Sequence, residues 1–279
     1  MTDLKIGGAL LRTGECLAAM RGMKNDSIDL TVTSPPYDNL RTYNGFTFDF
    51  EKIALELYRI TKPGGVVVWV VGDATVKGSE TGTSFRQAPF FRDVCGFNLH
   101  DTMIYEKSKA HVFDPRQRRY KNTMEFMFIL SKGKPKTFNP IMDLPVVGAG
   151  KRLKVRQRLK DGRIRSDRTI TLGQWQARGS VWVYEGGVNH STKDLAAFQH
   201  PAIFPEQLAR DHIISWSNPG DLVLDPFMGS GTTGKISLQE DRQFIGIEIS
   251  ESYFKIASDR IRAAHVLSQT IQQCAMFVA

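Results

Sequence analysis

The chain has 279 residues, 41% apolar and 24% charged, with a net charge of +8 at neutral pH. That balance belongs to a soluble globular protein, with room for one large α/β domain carrying a smaller insertion, and it excludes a disordered or fibrous class. The longest apolar run, residues 66–71, is too short to cross a bilayer, and three cysteines without a CxxC pair and six histidines without HExxH spacing favour neither disulfides nor a metal.

The opening Met1-Thr2-Asp3-Leu4-Lys5 has neither the basic nor the apolar region of an export leader, so a cytoplasmic location is expected. A compact β-prone run at 28–33 leads directly into Thr33-Ser34-Pro35-Pro36-Tyr37. Phe50, Ile53, Leu57 and Ile60 then recur at helical spacing until Lys62-Pro63-Gly64-Gly65 stops the helix. Residues 66–71 read as a strand apolar on both faces, the mark of a buried parallel sheet, and 99–105 and 124–130 read as further strands.

Between about 141 and 195 the texture changes. Charges dominate, glycines interrupt every pattern, and no periodic segment is expected to last. Residues 151–168 hold Lys151, Arg152, Lys154, Arg156, Arg158, Lys160, Arg163, Arg165 and Arg168 against Asp161 and Asp167, a local charge of +7 that leaves +1 for the rest of the chain. Such a concentration is an electrostatic footprint for a polyanion, whereas its bland reading is a solvated loop. Trp175 and Trp182 are expected to form a small core of this segment.

From 196 the α/β texture returns. A helix opens at Pro205 and ends before Asn218-Pro219-Gly220-Asp221. A strand at 222–224, a glycine-rich loop at 225–231, a helix at 232–239 and a strand at 244–249 follow. In Asp225-Pro226-Phe227-Met228-Gly229-Ser230-Gly231-Thr232 the glycines permit close approach of a ligand to the backbone, and the helix start offers free amides. Glu248, at the end of the next strand, is suited to accept hydrogen bonds from two ribose hydroxyls. The spacing Gly229 to Lys235 also fits a phosphate-binding GxxxxGK loop, but Ile236 stands where magnesium ligation needs Ser or Thr, and Asp225 would face the phosphates.

At Pro35-Pro36 two fixed φ angles and two missing amide donors turn the carbonyls outward. A rigid carbonyl beside the Ser34 hydroxyl can accept both hydrogens of an amino group, and the aromatic Tyr37 can stack on the ring that bears it. A proline-stiffened turn is the structural alternative.

Together, Val-Thr-Ser-Pro-Pro-Tyr and Asp-Pro-Phe-x-Gly-Ser-Gly-Thr resemble the amino-methylating DNA methyltransferases, over nearly the whole chain outside 141–195. The order of motifs is similar to the family's permuted β-type. The resemblance implies a Rossmann-like fold, α/β with a mixed, mostly parallel sheet and helices on both faces, circularly permuted and carrying an inserted target-recognition segment. It divides the chain into a catalytic part (1–140), the recognition insertion (141–195) and a cofactor-binding part (196–279).

It further implies that Ser34, Pro35, Pro36 and Tyr37 are catalytic. Asp225, Phe227, Gly229, Gly231 and Thr232 would line the methionine side of S-adenosylmethionine, with Glu248 on the ribose and Glu15 on the adenine. The stretch His200-Pro201-Ala202-Ile203-Phe204-Pro205 would close the pocket. Lys151, Arg152, Lys154, Arg156, Arg158, Arg163, Arg165 and Arg168 would contact DNA, by phosphates and guanine edges. No metal and no membrane are implied; a second copy of the chain and a cognate restriction endonuclease are compatible partners. Ser before Pro-Pro leans towards cytosine N4 as the target, adenine N6 being the alternative. A DNA-binding module of the same fold without catalysis, or an enzyme acting on RNA or protein, are the rival readings. A cytosine-C5 enzyme would need a cysteine beside proline, and this chain has none.

Overall fold

A computed structural model of the chain describes residues 2–36, 48–108, 118–185, 191–200, 203 and 205–278. In chain order its elements are β1 (Asp3–Ile6), β2 (Ala9–Thr13), α1 (Cys16–Arg21), β3 (Ile28–Thr33), α2 (Phe50–Ile60), β4 (Thr61–Val71), the short pair β5 (Thr75–Val76) and β6 (Ser79–Glu80), and α3 (Thr83–Phe90), which runs on into a π-helical turn (Phe91–Cys95). They continue with β7 (Asn98–Lys107), β8 (Met124–Ser131), β9 (Leu144–Pro145), β10 (Arg152–Arg158), β11 (Ile164–Thr171), β12 (Trp175–Gln176), β13 (Val181–Tyr184), a 3-10 turn (Leu195–Gln199), α4 (Glu206–Trp216), β14 (Leu222–Asp225), α5 (Thr232–Gln239), β15 (Gln243–Glu248) and α6 (Glu251–Val278).

Among the described residues one sheet of nine strands runs in the order β1-β2-β15-β14-β3-β4-β8-β7-β13. Within it β2, β15, β14, β3 and β4 are parallel to one another, β1 is antiparallel to β2, β8 is antiparallel to both β4 and β7, and β13 returns parallel to β7. This is the expected mixed, mostly parallel sheet. β4 shows why its sequence lacks alternation. Val67, Trp69 and Val71 join one core cluster with Ile53 and Leu57 of α2, while Val66, Val68 and Val70 are just as buried on the other face. On that second face His212 of α4 meets Met127 of β8, with its imidazole nitrogen 3.1 Å from the sulfur. A strand covered on both faces has no polar side to present.

β14 feeds α5 and β15 on one side of the sheet order, whereas β3 feeds α2 and β4 on the other. The order therefore reverses between β3 and β14, and at such a point the loops leaving the carboxyl ends diverge and open a crevice. No helix among the described residues is long and apolar enough to cross a membrane.

Contacts divide the chain into two units, residues 1–139 with 180–279, and Pro140–Gly179. The texture boundary expected near 195 is therefore corrected at its C-terminal end, because β13 pairs with β7 in the large sheet. Trp182 belongs to that sheet, buried against His212 with ring centroids 4.8 Å apart. Trp175 lies in the smaller unit and is 52% exposed, so the two tryptophans do not form a common core.

The expectation that 141–195 lacks regular structure is also corrected. β10 and β11 form an antiparallel hairpin, closed by Lys160-Asp161-Gly162 with Gly162 at φ 83° and the Leu159 N–H on the Arg163 carbonyl at 2.8 Å. Asp-Gly between alternating strands is the sequence signal for such a turn, and the density of charge obscured it.

Gly234 on α5 tests how tightly the helices seat on the sheet. A Cβ there would lie 2.4 Å from the fully buried Phe244 ring and 2.6 Å from Ile261. Gly234→Ala gains roughly 1 kcal/mol of helix propensity, but overpacking a closed core costs about 1–3 kcal/mol. We expect a net loss of stability in urea unfolding; an unchanged or raised midpoint would contradict this packing.

Candidate active site at the strand-order reversal

The two sequence corners meet at the reversal. Val223 and Leu224 of β14 pair with Leu30 and Thr31 of β3, which brings the Asp225 end of one strand beside the Thr33 end of the other. There the Thr33 hydroxyl donates to Asp225 Oδ1 at 2.7 Å, the Phe227 N–H donates to the same oxygen at 3.1 Å, and the Thr233 hydroxyl donates to the Val32 carbonyl at 3.3 Å. Ser34 follows immediately and is half-buried, Pro35 is buried and Pro36 half-buried. Tyr37 lies outside the described residues, as do Pro201, Ala202 and Phe204 of the pocket-closing stretch.

The loop after Asp225 has a backbone conformation that its glycines favour. Gly229 and Gly231 sit at φ 52° and 78°, in the left-handed region that disfavours a side chain. A Cβ on Gly229 would stand 3.0 Å from the His200 ring, and one on Gly231 2.9 Å from Ala257. Gly231 caps α5, whose first residue, Thr232, is buried. Phe227 turns towards the core, its ring 5.4 Å from Phe48 and 6.3 Å from Trp69, and so anchors the loop in an aromatic cluster.

Two carboxylates flank this loop. Glu248 accepts the Gly229 N–H on Oε2 and the Ser250 N–H on Oε1, both at 2.8 Å. Its burial raises the carboxyl above the usual range, against the pull of those two N–H groups. Asp225 is 2% exposed, and loss of hydration pushes its carboxyl up to about 6 even though the Thr33 hydroxyl and the Phe227 N–H favour the anion. Glu15 stands on the next parallel strand end, since the Gly14 N–H donates to the Glu248 carbonyl at 2.9 Å. Its exposed side chain caps α1, accepting Leu17 N–H at 2.9 Å and Ala18 N–H at 2.7 Å. Sequence reasoning named these groups but missed Thr33 as the link between the two corners; its place one residue before Ser34 was the available signal.

The smaller unit carries the charge. Along β10, Arg152, Lys154, Arg156 and Arg158 occupy alternate positions and share one face, while Val155 pairs with Arg168 and Gln157 with Arg165 on the other. Arg163 is committed to Asp161 at 2.6 Å. All eight predicted DNA contacts are exposed.

Comparison with known proteins shows the family and the fold. The family model for N6/N4 methyltransferases, described as DNA methylase, matches residues 28–259. The orphan methyltransferase M.BamHII of Bacillus amyloliquefaciens is 53% identical over 249 residues, which cover 88% of this chain and 93% of that protein. The type II methyltransferase M.Cfr9I of Citrobacter freundii is 28% identical over 93% of this chain and 89% of its own. In fold, the chain is similar to the cytosine-N4-specific PvuII DNA methyltransferase, with a TM-score of 0.69 at 20% identity over 95% of this chain and 93% of that one. It is similar also to M1.HpyAVI in complex with S-adenosylmethionine, with a TM-score of 0.60 at 20% identity over 91% and 99% of the two chains. A family match that runs through both corners of the crevice, together with a relative identical at half its positions, makes this chain a DNA methyltransferase of the amino-methylating N4/N6 family.

Proposed function

We propose that the chain transfers a methyl group from S-adenosylmethionine to the exocyclic N4 of cytosine in DNA. The observation that supports this reading is the Thr33–Asp225 hydrogen bond, which joins the residue just before the Ser34-Pro35-Pro36 corner to the start of the glycine loop. Ser at position 34 and the fold shared with a cytosine-N4-specific enzyme favour cytosine over adenine N6, the alternative target.

The residues present suit the cofactor. The left-handed glycines keep side chains off the loop, two buried carboxylates face it from adjacent strand ends, and the start of α5 adds backbone amides. Asp225, Phe227, Gly229, Gly231 and Thr232 would hold the methionine side. Glu248 would hold the ribose, since a carboxylate oxygen has two acceptor positions and one backbone N–H occupies one of them. Glu15 would reach the adenine. S-adenosylmethionine would supply an electrophilic methyl: its S–C bond breaks as the N–C bond forms, the thioether S-adenosylhomocysteine leaves, and the amino nitrogen releases one proton to solvent.

The protein's part is to make the amino nitrogen nucleophilic and to aim it. In a free base that lone pair is delocalised into the ring. Hydrogen bonds from the amino group to the Ser34 hydroxyl and the Pro35 carbonyl draw the nitrogen towards tetrahedral geometry, and fixed positions supply the proximity. The base must leave the stack to reach this corner, with Tyr37 as its platform. The β10–β11 hairpin binds the duplex, with Arg152, Lys154, Arg156 and Arg158 spaced about 7 Å apart on phosphates or guanine edges.

Incubation with tritiated S-adenosylmethionine and mixed-sequence DNA, followed by nucleoside mass spectrometry, is expected to yield N4-methylcytosine. N6-methyladenine would move the target, and unlabelled DNA beside bound cofactor would refute the activity. Ser34→Ala is expected to lower kcat by about a hundredfold or more while cofactor affinity stays within about twofold; full activity would remove Ser34 from the reaction.

Asp225 makes a pH prediction. An ionised carboxylate attracts the cationic cofactor, so affinity falls as pH drops through about 6. The apo protein carries the opposite dependence. Folding raises this carboxyl from 3.8, the folded chain holds the proton longer, and stability is lost as pH rises from about 4 to 6. Asp225→Asn should therefore lose cofactor binding yet gain up to about 3 kcal/mol in apo unfolding at neutral pH. Equal stability of both forms at all pH values would contradict the burial.

For the hairpin, Arg152→Ala with Lys154→Ala should flatten the slope of log affinity against log salt by about two, one per lost phosphate contact. An unchanged slope would take this face off the DNA.

A further inference from the structure

Arg260 on α6 belongs to neither sequence motif, yet its guanidinium reaches the glycine loop. The side chain is 2% exposed. Its Nη1 donates to the Ser230 carbonyl at 2.5 Å and lies 3.2 and 3.4 Å from the hydroxyls of Ser230 and Thr232. Nη2 donates to Glu206 Oε1 at 2.8 Å, and Nε to Asp194 Oδ2 at 2.7 Å. Lys235 brings a second cation to the same Glu206 oxygen at 2.8 Å, and the Thr192 hydroxyl donates to it at 2.6 Å. Two cations thus face two partly exposed carboxylates, which compensate the charge of the one fully buried member, Arg260.

This cluster pins the peptide between Ser230 and Gly231 at both ends. Arg260 holds its carbonyl, and the Met228 carbonyl accepts its N–H at 2.8 Å. Asp194 begins the 3-10 turn Leu195–Gln199, and the next residue, His200, lies against Gly229 and edge-on to Tyr253 at 4.4 Å. One side chain therefore holds the Ser230 end of the loop and, through Asp194, the segment whose His200 lies against Gly229.

We infer that Arg260 is a positioning residue for the cofactor loop, fixing the 230–231 peptide and seating residues 194–200 so that S-adenosylmethionine meets a preformed site. The inference rests on the cofactor reading above. It assigns the role to the planar fork, since three separate directions must be served at once and a lysine ammonium on a flexible stem serves them poorly.

Calorimetric titration of the full chain with S-adenosylmethionine tests it, with Arg260→Lys and the milder Asp194→Asn beside the wild type. Arg260→Lys should weaken binding about tenfold, the loss of one charge-assisted hydrogen bond, and Asp194→Asn should shift it in the same direction. With DNA present, KM for the cofactor should rise while kcat at saturation stays within about twofold. Amide exchange should quicken in peptides covering 226–236 and stay slow in β3 and β4. If Arg260→Lys fails to fold, Asp194→Asn carries the test alone. Variants that bind as the wild type does, whatever their melting temperatures, would overturn the inference by itself; a wild type that binds no cofactor would overturn the cofactor reading as well.

Discussion

The Thr33 hydroxyl and the Asp225 carboxylate meet across 2.7 Å between two parallel strands whose chains then leave for opposite sides of the sheet. Both groups are buried, so neither can exchange its partner for water without a cost of about 1–3 kcal/mol, more for the charge. This bond makes a single crevice out of segments 192 residues apart. The proline corner follows Thr33 directly, and the loop after Asp225 carries no side chain at Gly229 and Gly231. Methyl transfer asks for both at one place.

Maintaining that place costs stability. Asp225 and Glu248 are carboxylates held in surroundings that favour their neutral forms, and Arg260 is a cation with almost no water around it. Asp225 and Glu248 accept hydrogen bonds from backbone amides and a hydroxyl, and Arg260 donates to a carbonyl and two carboxylates, which is how a preorganised polar site persists in an apolar core. The aromatic cluster of Phe48, Trp69 and Phe227 supplies the apolar burial against which that polarity is set.

Much of this was legible in the sequence because it is local. The β14-loop-α5-β15 unit follows from one apolar run, two glycines and a terminal acid within 222–248, and β4 announced its burial by having no polar side. What escaped depends on partners distant in sequence. β13 reads as part of a polar insertion until its pairing with β7 is seen, and Trp182 becomes core through partners such as His212, 30 residues away. Arg260 finds its partners 30, 54 and 66 residues away, and no spacing rule spans such intervals. The β10–β11 hairpin was different, since Asp161-Gly162 was there to be read and the run of basic residues drew attention from it.

The central claim is spatial: a methyl donor held by the Asp225 loop points its sulfur at the Ser34-Pro35 carbonyl corner. A crystal structure of the complex with S-adenosylhomocysteine tests it most directly. The account predicts the ribose on Glu248, the homocysteine along residues 225–232, and the sulfur facing Ser34 and Pro35. A sulfur turned away from that corner, or a ligand seated at another edge of the sheet, would contradict it.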